Sequence, residues 1–184
     1  MRYCRKLETT DVGLIPEYAR ILHEGLTKIG WEGYTEEASK THLEESEEYV
    51  QNFFNSGIKN RLIGHFTDKS LDGILIERIE TIDFDHTGRK DNVALLAWLI
   101  SKNEGKGIGS ELLDDSITRA RQEKRDAVTL TVSESNERAL RFYKRNGLYE
   151  LANQSGLIEM YHFLNPRMDP RNLMVEIYSQ MFGE

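Results

Sequence analysis

Cysteine is almost missing from this 184-residue chain: Cys4 stands alone. No internal disulfide and no cysteine-built metal cluster can form, and a place in an expected first strand suits Cys4 to a buried structural thiol. The five histidines, His23, His42, His65, His86 and His162, lie far apart without ligand-pair spacing, so no metal is expected. Positive charge is also short. There are 24 Lys and Arg against 31 Asp and Glu, for a net charge of -7, whereas a general nucleic-acid binder needs clustered Lys and Arg to displace counterions. No apolar run approaches the ~18 residues of a membrane span, and the opening Met-Arg-Tyr-Cys-Arg-Lys contains no apolar signal core. The expected compartment is therefore the cytoplasm, with no membrane partner. Internal repeats and low-complexity tracts are missing too.

What is present is a globular composition, 39% hydrophobic and 30% charged residues, which is enough apolar material for one buried core. One domain with a small appendage is expected, residues 1–165 and a helical extension over residues 166–184. Tyr3 to Leu7 reads as a strand, and Thr9-Thr10-Asp11 as a turn or capping cluster. The spacing of Tyr18, Ile21, Leu22 and Leu26 predicts a helix from about Pro16. A second helix is predicted to start after Thr35 and to run to about Asn55. Between them Trp31 and Tyr34 either anchor a loop on the core or cover a ligand. Arg61 to Thr67 and Gly73 to Glu80 read as strands joined by a polar connection over residues 68–72.

The most apolar run, Val93 to Ile100, predicts a central strand with both faces covered. After it comes Glu104-Gly105-Lys106-Gly107-Ile108-Gly109-Ser110, leading into an amphipathic stretch with Leu112, Leu113, Ile117 and Ala120. A strand entering a glycine-rich turn that opens a helix points several backbone N–H groups, and the positive end of the helix dipole, at one place. Such a place favours a phosphate or pyrophosphate. The spacing matches neither a P-loop nor a dinucleotide fingerprint. Asp126 to Val132 predicts the next strand, making Val93 to Val132 a βαβ unit with parallel strands. A helix follows from Asn136 and is stopped by Gly147, a last strand runs from Leu157 to Leu164, and Leu173, Met174, Ile177 and Met181 recur at helical spacing after Pro170. That terminal helix packs on the domain or forms a homodimer contact. The fold class is α/β (α+β), helices on both faces of a mixed central sheet.

The segment from Ser133 to Leu148 contains Asn136-x-x-Ala139-x-x-Phe142-Tyr143-x-x-x-Gly147-Leu148. Together with the glycine turn it resembles the GNAT superfamily of acyl-CoA-dependent N-acetyltransferases. That family pairs a Gln/Arg-x-x-Gly-x-Gly/Ala loop after its fourth strand with an Asn-x-x-Ala-x-x-Phe-Tyr-x-x-x-Gly-Phe pattern after its fifth. The resemblance runs from about Tyr3 to Leu164. It implies acetyl transfer from acetyl-CoA to a primary amine, of a small molecule or a peptide, by direct attack through a tetrahedral intermediate. It further implies that the strand ending at Leu99 and Ile100 splays from the strand ending near Val132, with backbone groups of Leu99 and Ile100 on the cofactor arm. The amides of Gly105, Lys106, Gly107, Ile108, Gly109 and Ser110 would hold the pyrophosphate, Asn136 would touch the arm, and Tyr143 would give a proton to the departing thiolate.

One departure stands out: the family's Gln or Arg is Glu104 here. A carboxylate repels a diphosphate unless it points outward and leaves the binding to the glycine amides and Lys106. This makes an alternative conceivable, a catalytically silent acyl-CoA-binding regulatory or sensor module with the same fold. For the base that deprotonates the amine, Glu77, Glu80 and the start of the fourth strand at Asp91, Asn92 and Val93 offer candidates, as does a water chain. The sequence assigns none of them.

Overall fold

The computed structural model describes residues 1–29, 39–55, 60–82, 91–166 and 169. Seven strands, β1 (Arg2–Lys6), β2 (Asn60–Thr67), β3 (Ser70–Ile82), β4 (Asp91–Ser101), β5 (Ala127–Ser133), β6 (Tyr149–Gln154) and β7 (Leu157–Phe163), form one sheet in the order β1-β2-β3-β4-β5-β7-β6. Helices α1 (Ile15–Ile29), α2 (Ser39–Asn55), α3 (Ile108–Gln122) and α4 (Glu137–Arg145) flank it. The sheet is mixed: β1, β2 and β3 pair antiparallel, β4 and β5 parallel, and β7 antiparallel to both β5 and β6. The α/β arrangement and the β4-α3-β5 crossover expected from the sequence are the ones found. Contacts divide the chain into two compact units, Met1–Arg78 with Leu96–Asp115, and Ile79–Leu95 with Ser116–Glu184.

In the first unit α1 buries Ile15, Tyr18, Ala19, Ile21, Leu22 and Leu26, the three- and four-residue spacing that puts one stripe of a helix against a sheet. Tyr18 is fully buried, and its hydroxyl donates to the carbonyls of Leu75 at 2.6 Å and Ile63 at 3.2 Å, a cross-strand pair of β3 and β2. A phenol so deep needs that outlet. Gly25 sits in the interior of α1, where glycine costs about 1 kcal/mol relative to alanine. A Cβ there would meet Ile100 Cδ1 at 2.6 Å, so the missing side chain is what lets the helix rest on the end of β4. Gly73 on β3 has the same function opposite α3: its Cβ would lie 2.6 Å from Ile108 Cγ2 and 3.1 Å from the Ile100 carbonyl.

The second unit has a core of Val93, Ala127 and Tyr161, with Ile82 and Phe163 packed against it. The β4–β5 ladder here matches Val93, Ala94 and Leu95 with Ala127, Val128 and Thr129. Along β4, Val93, Ala94 and Leu96 are buried, Leu95 and residues 97–101 are half-buried and Asn92 is exposed, so the expected cover of both faces is incomplete.

Two local readings change. The β2–β3 connection is a tight turn at Asp68 and Lys69, with Asp68 at φ 58°, and β3 begins at Ser70 rather than Gly73. Residues 149–154, given no element by their sequence pattern, form β6 at the sheet edge. The expected loop around Trp31 and Tyr34, the start of the second helix after Thr35 and the terminal helix lie outside the described residues.

Candidate functional site

The turn between β4 and α3 belongs to the first unit. Gly105 and Gly107 take φ of 72° and 84°, a left-handed backbone that costs a residue with Cβ roughly 1–2 kcal/mol. Residues 103–107 are exposed, and Ile108 turns back into the core as α3 begins. The first helical bond runs from the Glu111 N–H to the Gly107 carbonyl at 3.0 Å. Among the described residues, the N–H groups of residues 107–110 donate to no backbone carbonyl. They stand unpaired at the positive end of a 15-residue helix, a ready anion site.

Helix α1 grips this turn at two points. Glu17 pairs with Lys102 and Lys28 pairs with Glu104, the two α1 residues being about three helical turns apart. Lys102 also donates its backbone N–H to the Asp72 carbonyl at 2.8 Å. Hydrogen bonds from Arg20 and Lys102 hold the Glu17 carboxyl down at about 2. The charge of Glu104 thus faces a lysine of its own unit. Leu99 and Ile100 lie half-buried just ahead, with Ile100 packed on the core of the first unit.

Behind the turn runs a chain of contacts that the sequence did not signal. Arg2 Nη1 donates to the Lys106 carbonyl at 3.0 Å and to Glu111 Oε1 at 3.3 Å. Glu111 Oε2 meets Nε2 of the fully buried His65 at 2.8 Å. A carboxylate only accepts, so Nε2 carries the proton, and Nδ1 is left without a partner among the described residues. The His65 hydrogen bond first, and Arg2 after it, hold the Glu111 carboxyl below its usual value. Glu111 lies in the first turn of α3, and its partners come from β1 and β2.

Asn136 and Tyr143 belong to the second unit. Asn136 is the N-cap of α4: its Oδ1 accepts from the Ala139 N–H at 3.1 Å, which uses one face of the amide and leaves Nδ2. Tyr143 stands about two turns further on as a half-buried residue, its ring edge-on to Phe142 at 5.1 Å. Burial of the phenol pushes it up to about 12, and its hydroxyl makes no hydrogen bond among the described residues. It is protonated at any physiological pH.

The candidate bases are accounted for in part. Glu77 is buried and paired with Arg61 at 3.0 Å across the β2–β3 ladder. Asn92 is exposed and ties strand ends together, accepting from Thr81 Oγ1 at 3.1 Å and donating its N–H to Asp126 at 2.9 Å. Asp91 is buried. No helix among the described residues is long and apolar enough to cross a membrane.

Comparison with known proteins bears on the fold and the family. The chain resembles the structure of the PaiA N-acetyltransferase from Thermoplasma acidophilum in complex with coenzyme A, with a TM-score of 0.67 at 24% identity over 89% of this chain and 99% of that one. It also resembles the ribosomal-protein-S18-alanine N-acetyltransferase from Escherichia coli, with a TM-score of 0.58 at 17% identity over 90% and 95% of the two chains. The N-acetyltransferase PseH from Campylobacter jejuni gives 0.56 at 16% identity over 88% and 97%. No curated protein matches the sequence. At these identities the structures establish the fold alone, but the model of the acetyltransferase (GNAT) family matches residues 24–148, more than half of the chain and inclusive of both the glycine turn and the Asn136 to Leu148 segment. The chain therefore belongs to the GNAT acetyltransferase family.

Proposed function

We propose that this protein is an N-acetyltransferase that moves the acetyl group of acetyl-CoA to a primary amine of a small molecule or a peptide. The observation that carries the reading is the row of unbonded N–H groups at residues 107–110, held by a turn that needs glycine at 105 and 107, in a chain of the GNAT family. These residues fit a diphosphate: the donors are backbone amides on a preformed turn, Lys106 adds a flexible cation, and Glu104 is paired with Lys28. Bound acetyl-CoA supplies the acyl group as a thioester. The amides of residues 105–110 would hold its diphosphate, backbone groups of Leu99 and Ile100 would bond the arm, and Asn136 would offer Nδ2. A neutral amine would attack the thioester carbonyl directly and give its proton to water, so no side-chain nucleophile is required. Tyr143 would give its proton to the thiolate as the C–S bond breaks.

Calorimetric titration with acetyl-CoA and coenzyme A, followed by thiol release across a panel of amines, tests the proposal. Tyr143→Phe is expected to bind coenzyme A as the parent does and to lose about 100-fold or more in turnover, the usual worth of a general acid. A phenol held near 12 predicts a rate with no loss from Tyr143 ionisation below about pH 11. Absence of coenzyme A binding refutes the reading. Binding without thiol release from any amine favours the sensor alternative, and an unchanged rate in Tyr143→Phe removes that residue from the chemistry.

A further inference from the structure

The carboxylate of Glu111 is badly placed for an anion site. It hangs beside the turn, with Oε1 3.7 Å from where a Cβ of Gly107 would be, and it is the acidic residue of the first turn of α3. A charge there stabilises the helix dipole but competes with any anion for the same positive end. Two groups oppose it. His65 holds Oε2 from inside the sheet at 2.8 Å, and Arg2 holds Oε1 from the surface at 3.3 Å. The same Nη1 of Arg2 donates to the Lys106 carbonyl at 3.0 Å. In a trans peptide the C=O and the N–H lie in one plane and point in opposite directions. Fixing the Lys106 carbonyl toward Arg2 therefore turns the N–H of Gly107 the other way, away from the guanidinium.

Arg2 is itself set by structure on both sides. It pairs with Thr67 in the β1–β2 ladder, and the preceding carbonyl, that of Met1, accepts from the Asp68 N–H at 2.8 Å. The arginine reaches the turn from a strand 104 positions earlier in the chain.

We infer that Arg2 is a positioning residue for the coenzyme-binding turn, neutralising Glu111 and orienting the Lys106–Gly107 peptide so that its amide faces the diphosphate. This inference rests on the coenzyme reading proposed above. It adds a residue outside the glycine motif: the first strand, through one guanidinium, completes a cradle whose own sequence begins with an acid.

Coenzyme A binding by calorimetry tests it, with Arg2→Met, Glu111→Gln, the double variant and Arg125→Gln, an arginine paired with Glu123 after the C-terminal end of α3, as control. Arg2→Met should weaken coenzyme A by about tenfold or more, the worth of a lost charge-assisted contact, and Arg125→Gln should not. Adding Glu111→Gln to Arg2→Met should restore at least about threefold of the lost affinity, because the charge that needed cancelling is gone, while the part owed to the lost hold on the Lys106 carbonyl stays missing. A purely structural arginine would show no such rescue, and thermal melting of each variant separates affinity from folding. Parent-like affinity in Arg2→Met, or a loss that Glu111→Gln leaves unrelieved, overturns the inference. Failure of the parent protein to bind coenzyme A strikes the function proposal itself, and is thereby told apart from failure of this one.

Discussion

Lys28 of α1 is ion-paired with Glu104, the carboxylate at the position where related loops carry Gln or Arg. Both side chains are more than a third exposed, so the pair adds little to stability in water. Its consequence is local. The lysine cancels a negative charge at the mouth of the turn proposed to bind the coenzyme, and that would matter to a diphosphate even when it is worth little to the fold. Lys28→Met should weaken coenzyme A several-fold, more at low salt than at high, while Glu104→Gln should tighten it. Titration at two ionic strengths checks both; a Glu104→Gln variant that binds more weakly would show that the carboxylate assists rather than opposes the cofactor.

Gly73 and Gly13 make an internal comparison. A Cβ on Gly73 would fall 2.6 Å from Ile108 Cγ2, 3.1 Å from the Ile100 carbonyl and 3.2 Å from Leu112 Cδ1, whereas one on Gly13 would meet nothing within 4 Å. Gly73→Ala must therefore push the first turn of α3, and overpacking of this kind costs about 1–3 kcal/mol. Gly13→Ala should stay within about 0.5 kcal/mol of the parent. Urea unfolding measures both. Since Ile108 follows directly on the glycine turn, Gly73→Ala should also weaken coenzyme A, and equal stability of the two variants would refute the proposed packing constraint.

The reach of sequence reasoning follows from where the forces lie. The β4 run, the glycine turn and α3 were legible because burial and left-handed backbone each demand particular residue types at neighbouring positions. Likewise, Asn136 announced the start of α4 through its capping chemistry. Strand β6 was not legible: Tyr-Glu-Leu-Ala-Asn-Gln is exposed or half-buried throughout, and its register with β7 slips between Glu150 and Ala152, so no alternation marks it. The backbone of the glycine turn was legible in the sequence, and the charge pairings around it were not. Arg2 to Glu111 spans 109 positions, His65 to Glu111 46, and Lys28 to Glu104 76. Pairings at such separations are set by topology, and no local pattern encodes them.

Glu17 makes the other attachment of α1 to the turn, and its pH dependence has a definite sign. Hydrogen bonds from Arg20 and Lys102 lower its carboxyl from the ordinary 4.5 to about 2. A carboxyl with a depressed native pKa binds protons more readily in the unfolded chain, so its stabilisation is complete above about pH 4.5 and lost as pH falls toward about 2. Lys102→Met removes one of the two partners and should raise the Glu17 pKa part of the way back. The melting-temperature difference between the parent and Lys102→Met is therefore expected to be largest above pH 5 and to shrink steadily as pH falls toward 2. Arg20 remains to hold Glu17 in that variant, so the difference should be modest at every pH. Thermal melts at matched ionic strength between pH 2 and pH 7 read it directly, and a difference that grows on acidification would mean that the Lys102 side chain does not act through the Glu17 carboxylate.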